Sequence, residues 1–67
     1  MIDVVINGET RPVPADQSIE QLLALLEIPA DRVAVELNKG IVRKRDWHNV
    51  PVAAGAKLEI VEFVGGG

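Results

Sequence analysis

The 67-residue sequence contains no cysteine. This absence excludes a disulfide framework, a thiolate metal site and a cysteine nucleophile, and it removes any need for an oxidising compartment, so we expect a cytoplasmic protein. Aromatic residues are also scarce, with one tryptophan, one phenylalanine and no tyrosine. The single histidine, His48, has no second histidine near it, and we therefore expect a solvated loop residue and no bound metal.

Positive charge is limited as well. Ten acidic residues outnumber seven basic ones, which gives a net charge of -3. We therefore expect no binding to nucleic acid or to an anionic membrane surface. No apolar run approaches the roughly 20 residues that a membrane-spanning helix needs. Residues 1–6 are too short and carry the wrong charge for a secretory signal.

The N-terminal residues predict a β-hairpin. Apolar β-branched residues alternate along residues 2–6, as in a strand with one buried face. The Asn-Gly pair at 7–8 tolerates the positive φ angles of a type I′ turn, so residues 9–13 should fold back antiparallel. Pro12 and Pro14 cannot donate to a β-ladder. This second strand is therefore expected at a sheet edge, or to end early.

One helix is predicted in the middle of the chain. Ser18 precedes Gln21 by three residues, the spacing of a capping box, so the helix should start after Ser18. Leu25 is expected to widen its apolar stripe, and Pro29 is expected to end the helix. The stripe itself follows the i, i+3, i+4, i+7 spacing and consists of Ile19, Leu22, Leu23 and Leu26.

Three further strands are predicted after the helix. Alternation over residues 33–37 leads into a turn at 38–40 and a short apolar pair at 41–42. A last strand is predicted over 58–61. Glu62 would point to the same side as the core residues Leu58 and Ile60, so either the alternation slips or the strand ends there. The element order predicts an α+β domain with a mixed sheet of four to five strands and one helix across a face.

Other residues that could carry chemistry have simpler interpretations. Ser18, Asp46 and His48 could form a hydrolase triad on paper, but Ser18 is typical of a helix cap, so no catalytic residue is predicted. The basic run at 43–45 is expected to be solvated. Trp47 could anchor a partner, but we expect it in the core, because a core this small needs its only tryptophan.

The chemical feature of the sequence is its final run of glycines, Gly65, Gly66 and Gly67. Glycines have no side chain to pack and lose the most conformational freedom on ordering, so they do not serve the fold. A frayed end or a cloning remnant is the alternative. We expect a domain over residues 1–64 and a flexible tail over 65–67 that can enter a narrow channel. A terminal carboxylate is ionised at neutral pH and needs activation, for example as an acyl adenylate, before a nucleophile can attack it.

The sequence resembles the ThiS sulfur carriers of thiamin biosynthesis. The resemblance runs from the hairpin turn at 7–8 through the stretch Ile-Val-Arg-Lys-Arg-Asp-Trp at 41–47 to the last ten residues, 58–67. It implies a ubiquitin-like β-grasp fold. It also implies that an E1-like, ThiF-type adenylyltransferase activates the Gly67 carboxylate with ATP and magnesium. The adenylate would then become a thiocarboxylate, with sulfur from a donor such as a cysteine desulfurase, and thiazole synthase would take that sulfur.

This resemblance assigns roles to the end of the chain. Gly67 would be the modified residue, Gly65 and Gly66 would thread a partner's active site, and Phe63 and Val64 are expected to contact the partner. The chain itself is expected to be a carrier and not an enzyme, with no cofactor of its own. The alternatives are a carrier like the molybdopterin synthase small subunit, a ubiquitin-like modifier conjugated through Gly67, and a passive binding module.

Overall fold

A computed structural model describes residues 1–63 of the chain. Along this range the chain forms strands, one α-helix and two 3₁₀ segments, Ala30–Arg32 and Lys44–Asn49. The strands and helix are β1 (Ile2–Ile6), β2 (Glu9–Val13), β3 (Gln17–Ser18), α1 (Ile19–Leu25), β4 (Val33–Leu37), β5 (Gly40–Val42), β6 (Pro51–Val52) and β7 (Lys57–Glu62).

Five of the strands form one mixed sheet in the order β2-β1-β7-β4-β5. Strands β1 and β7 are parallel, and the other neighbours are antiparallel. Helix α1 lies across one face of the sheet, which confirms the predicted α+β arrangement. The two-residue strands β3 and β6 form a small separate sheet that the sequence pattern did not predict.

The N-terminal hairpin forms as predicted. Asn7 and Gly8 have φ angles of 50° and 83°, and Ile6 pairs with Glu9 on the other side of the turn. Strand β2 lies at the edge of the sheet. This position accommodates Pro12, which has no N–H to donate to a further strand.

The second hairpin uses the same turn chemistry. Asn38 and Lys39 have φ angles of 51° and 74°, and Leu37 pairs with Gly40 across them. Strand β7 then runs through Glu62, which pairs in register with Val33. The alternation does not slip at Glu62; the strand ends there, and the carboxylate reaches solvent at the end of the sheet.

Helix α1 begins as predicted. The Ser18 hydroxyl accepts a hydrogen bond from the Gln21 amide at 3.1 Å, and the Ser18 amide donates to Gln21 Oε1 at 2.9 Å, so the capping box is complete. Three residues of the predicted stripe, Ile19, Leu22 and Leu23, are buried, and Leu26 is partly buried against them.

Two predictions about the rest of the helix are wrong. Leu25 does not widen the apolar stripe, because it lies on the outer side of the helix with half of its surface exposed. Pro29 does not end the helix, because α1 already ends at Leu25. Glu27 adopts a positive φ of 58°. Its backbone N–H donates to the Ala24 carbonyl, and the backbone N–H of Ile28 donates to the Leu23 carbonyl. These two bonds form a Schellman motif, with Glu27 in the position that glycine usually occupies.

The core lies between the sheet and α1 and includes Trp47. The Trp47 side chain is buried, and its Nε1–H donates to the Val42 carbonyl at 2.8 Å. The prediction that Trp47 belongs to the core is confirmed. In residues 1–63 the one α-helix has seven residues, and no helix has the length and apolar character required to cross a membrane.

Candidate functional site

Strand β7 carries the chain toward the predicted glycine tail from the centre of the sheet. It is parallel to β1 on one side and antiparallel to β4 on the other. The ladder with β4 continues one residue past the strand, because the Phe63 amide donates to the Arg32 carbonyl at 2.7 Å. The backbone is therefore held in the sheet as far as Phe63.

The side chain of Asn7 secures β7 where its pairing with β1 ends. Asn7 Oδ1 accepts from the Ile60 amide at 2.7 Å, and Asn7 Nδ2 donates to the Ile60 carbonyl at 3.1 Å. The primary amide thus replaces the peptide group that an additional residue of β1 would have provided. We refer to these two bonds as the Asn7 clamp.

A related contact holds the beginning of β7. The side-chain oxygen Asn38 Oδ1 accepts from the backbone N–H of Lys57 at 3.0 Å, and the backbone N–H of Asn38 donates to the Lys57 carbonyl at 2.7 Å. From the sequence, Asn7 and residues 38–40 are predicted only to form turns. The available signal was chemical, since an asparagine amide carries both the donor and the acceptor of a peptide group and also tolerates positive φ.

Of the predicted site residues, Phe63 lies within residues 1–63. Its side chain is 58% exposed, so it does not cap the core. Phe63 comes two residues after Val61, so by strand alternation it belongs to the same sheet face, the one opposite α1, on which Val61 is also exposed. Contact of Phe63 with a partner stays a prediction. Val64 and the glycines at 65–67 lie outside the described residues.

The residues considered for a hydrolase triad do not form one. Ser18 serves as the helix cap, as predicted, and its hydroxyl accepts the Gln21 amide. Ser18 and His48 both line a shallow, open depression beside the start of α1, but Asp46 is not part of its lining. His48 is exposed. No hydrogen bond joins any two of these three residues.

Other polar groups in residues 1–63 are also solvated. The basic run at 43–45 is exposed, as predicted. No group of three or more histidine, aspartate or glutamate residues in that range is placed to hold a metal ion. The described part of the site therefore offers a firmly anchored strand and an exposed aromatic side chain before the tail.

The family model of the ThiS family matches residues 4–67 of the chain. The sulfur carrier protein ThiS of Bacillus subtilis is 42% identical over 50 residues, which cover 75% of this chain and 76% of that protein. A crystal structure of the thiamine biosynthesis protein ThiS from Geobacter metallireducens superposes with a TM-score of 0.87 at 28% identity, over 98% of this chain and 100% of that one. This similarity confirms the β-grasp fold.

A longer protein is also similar. A thiazole synthase of Paramagnetospirillum magneticum is 48% identical over 64 residues, which cover 96% of this chain. The matched region accounts for 20% of that protein, so the chain spans about a fifth of the length of this relative. In that relative, a segment similar to this chain and the remainder of a thiazole synthase occupy one polypeptide.

Proposed function

Because the chain belongs to the ThiS family, we propose that it is a sulfur carrier of thiamin biosynthesis whose Gly67 carboxylate is converted to a thiocarboxylate. The observation that carries the proposal is the position of the glycines at 65–67, which follow directly on a central strand whose backbone is held as far as Phe63. A firmly held strand before a segment without side chains is suited to presenting a carboxylate to a partner.

The chemistry proceeds in two steps. The carboxylate oxygen attacks the α-phosphorus of ATP, forming the acyl adenylate and releasing pyrophosphate. A sulfur nucleophile then attacks the acyl carbon and displaces AMP; sulfide gives the thiocarboxylate directly, and the terminal sulfur of a persulfide gives an acyl disulfide. When a cysteine desulfurase supplies the sulfur as a persulfide, a thiol reductant must cleave the resulting disulfide. Thiazole synthase accepts the sulfur in thiazole formation.

The carrier acts as a co-substrate and not as an enzyme. No hydrogen bond joins any two of Ser18, Asp46 and His48, and the sequence has no phosphate-binding glycine loop with its lysine. A ThiF-type adenylyltransferase therefore supplies the ATP and magnesium site. The chain needs no cofactor of its own, and its lack of cysteine suits the reducing cytoplasm, where we place it.

The length of the tail limits where the partner's reaction centre can be. Gly67 follows Phe63 by four residues, and an extended chain of four residues spans at most about 14 Å. This is the distance between the Cα atoms of Phe63 and Gly67, and the phosphorus or sulfur that reacts with the carboxyl group lies only a few bonds further away. Phe63 and Val64 are then at the mouth of the partner's channel, with Gly65 and Gly66 inside it.

Intact-mass measurement tests this function. The chain is incubated with ATP, magnesium, a ThiF-type enzyme and a sulfur donor, and its mass should increase by the difference between one sulfur and one oxygen. The matched control is a variant that lacks only Gly67, which should gain no sulfur. An unchanged mass of the full chain, under conditions that thiolate a known carrier, would contradict the proposal.

Three further measurements distinguish the alternatives. Conjugation as a ubiquitin-like modifier would instead produce high-mass adducts in cells that disappear when Gly67 is deleted. A carrier for molybdopterin synthesis would be thiolated equally well but would pass its sulfur to a molybdopterin synthase large subunit and not to a thiazole synthase. A passive binding module would retain its function without Gly66 and Gly67.

A further inference from the structure

The sheet face opposite α1 remains uncovered by any element of residues 1–63. We call the part of this face on β4, β5 and the end of β7 the outer face. It contains three exposed apolar side chains: Ile41, Val61 and Phe63 are 76%, 58% and 58% exposed. Its side chains are Ala34, Glu36, Ile41, Glu59, Val61 and Phe63.

The strand register places two carboxylates together within this apolar surface. Glu36 on β4 is directly opposite Glu59 on β7. On its other side, Glu36 is directly opposite Ile41. Val61 is opposite Ala34, next to Glu59 along the same face. We call Glu36 and Glu59 the acidic pair.

The acidic pair opposes folding within the isolated chain. Directly opposed residues on antiparallel strands have Cβ atoms roughly 5 Å apart, and like charges at that distance are destabilising. Within residues 1–63, no side-chain hydrogen bond reaches either carboxylate. Lys57 shares this sheet face, two residues before Glu59, and Arg43 follows Ile41 two residues later, but in residues 1–63 neither cation forms a hydrogen bond with the acidic pair.

A second copy of the chain is a poor occupant for this surface. Two outer faces brought together would confront four carboxylates within an apolar contact, and each chain carries a net charge of -3. An occupant must instead combine apolar contacts with a cation that can lie between the two carboxylates. The guanidinium of arginine fits this requirement, because its planar set of donors can bind both carboxylates at once.

We propose that the outer face docks a thiazole synthase and that the acidic pair receives a guanidinium group from that enzyme, surrounded by contacts with Ile41 and Val61. The inference rests on the proposed function for the identity of the partner. Thiazole synthase is favoured because a relative 48% identical over 96% of this chain is itself a thiazole synthase, in which the matched segment is one fifth of the protein.

The proposal is tested with a double variant, Glu36→Gln and Glu59→Gln. Glutamine keeps the shape of each side chain and removes the repulsion, so this variant should fold at least as well as the parent. Binding to the thiazole synthase encoded in the same genome is measured by isothermal titration calorimetry at low salt and at about 0.3 M salt. We expect the dissociation constant to rise about tenfold or more at low salt and its salt dependence to flatten.

The matched control is the double variant Glu9→Gln and Glu20→Gln. Both residues are exposed and lie away from the outer face, and the variant changes the net charge by the same amount. Its dissociation constant should stay within twofold of the parent value. Equal weakening by both double variants would show that only net charge matters, and would overturn the assignment of the acidic pair.

Two further results would overturn the proposal. One is unchanged binding of thiazole synthase by the Glu36→Gln, Glu59→Gln variant. The other is weakening confined to the ThiF-type enzyme, which would assign the surface to that partner. Thiolation of each variant is followed separately by intact mass. A parent chain that gains no sulfur refutes the proposed function, whereas a thiolated parent with unaffected variant binding refutes only the docking surface.

Discussion

Replacing Asn7 with aspartate tests how β7 is held in the sheet. Aspartate has nearly the same shape and also tolerates the positive φ of this position. It can still accept the Ile60 amide but, when ionised, cannot donate to the Ile60 carbonyl, which lies 3.1 Å from Asn7 Nδ2. The substitution therefore removes half of the Asn7 clamp and places a negative charge beside a carbonyl oxygen.

The expected loss of stability follows from these contacts. A lost hydrogen bond costs about 0.5–1.5 kcal/mol, and repulsion between the carboxylate and the carbonyl raises the total to about 1–2 kcal/mol. A chain of 67 residues is expected to have a free energy of unfolding of roughly 3–10 kcal/mol. The variant should therefore stay folded but unfold at clearly lower urea concentration, a transition that the fluorescence of the buried Trp47 reports.

The pH dependence identifies the cause of this loss. The carbonyl raises the pKa of the introduced carboxyl group above its unfolded value, so destabilisation is present at neutral pH and declines as pH falls through the folded pKa. Below the ordinary aspartate pKa of about 3.9, the protonated group can donate to the Ile60 carbonyl and the deficit should disappear. The control is Asn49→Asp, which introduces the same charge at an exposed position. Equal urea midpoints for the two variants at pH 7, or a difference between them that does not change with pH, would refute a stabilising clamp.

Three other substitutions separate stability from function. Glu27→Gly should raise the free energy of unfolding by a few tenths to about 1 kcal/mol, because glycine relieves the positive φ at the end of α1. Urea unfolding measures this change, and a lower free energy of unfolding in the variant would show that strain at Glu27 is negligible. Trp47→Phe should lower the free energy of unfolding by about 2–3 kcal/mol, because side-chain volume is lost and the Val42 carbonyl is left without its donor. Thermal unfolding followed by circular dichroism measures this loss, and an unchanged midpoint would contradict the role of the Nε1 hydrogen bond. Phe63→Ser should change the free energy of unfolding by less than about 0.5 kcal/mol while slowing thiocarboxylate formation; an unaltered rate would remove Phe63 from the partner contact.

The sequence predicts those parts of the fold in which local chemistry and hydrophobic pattern agree. The Asn-Gly pair at 7–8 is compatible with the positive φ of a tight hairpin, and alternation on each side sets its register. Ser18 and Gln21 are spaced for a reciprocal cap, followed at once by buried apolar residues. In these segments, short-range requirements and core burial favour the same structure, so neither needs tertiary information.

The errors occur where tertiary contacts outweigh local pattern. Proline at 29 predicts a later helix end, but the burial of Ile28 turns the chain earlier, with Glu27 accepting a positive φ to complete the Schellman motif. Leu25 is apolar like the residues of the stripe, but it lies on the side of the helix that faces away from the sheet, so it stays exposed. The pairing of β3 with β6 joins segments far apart in sequence and only two residues long, too short to show a period.

The candidate site is less predictable than the fold, for a physical reason. A glycine run and its family resemblance indicate where chemistry occurs, but the contacts that hold β7 depend on side chains from two distant turns. Asn7 and Asn38 act on β7 from opposite sides, and neither interaction has a sequence period. Likewise, Glu36 and Glu59 become neighbours only through the register of β4 and β7.

The position of β7 explains why anchoring and recognition can use different atoms of one strand. The backbone of β7 bonds to β1, to β4 and to the Asn7 side chain, while Leu58 contributes its side chain to the core. The outward side chains Glu59 and Val61 take part in neither task and are available to a partner. A partner that pulled Phe63 away from Arg32 would have to break the ladder with β4 before reaching any interior residue. We therefore expect docking to leave β7 in place, so that the proposed carrier enters and leaves its enzymes as a rigid domain.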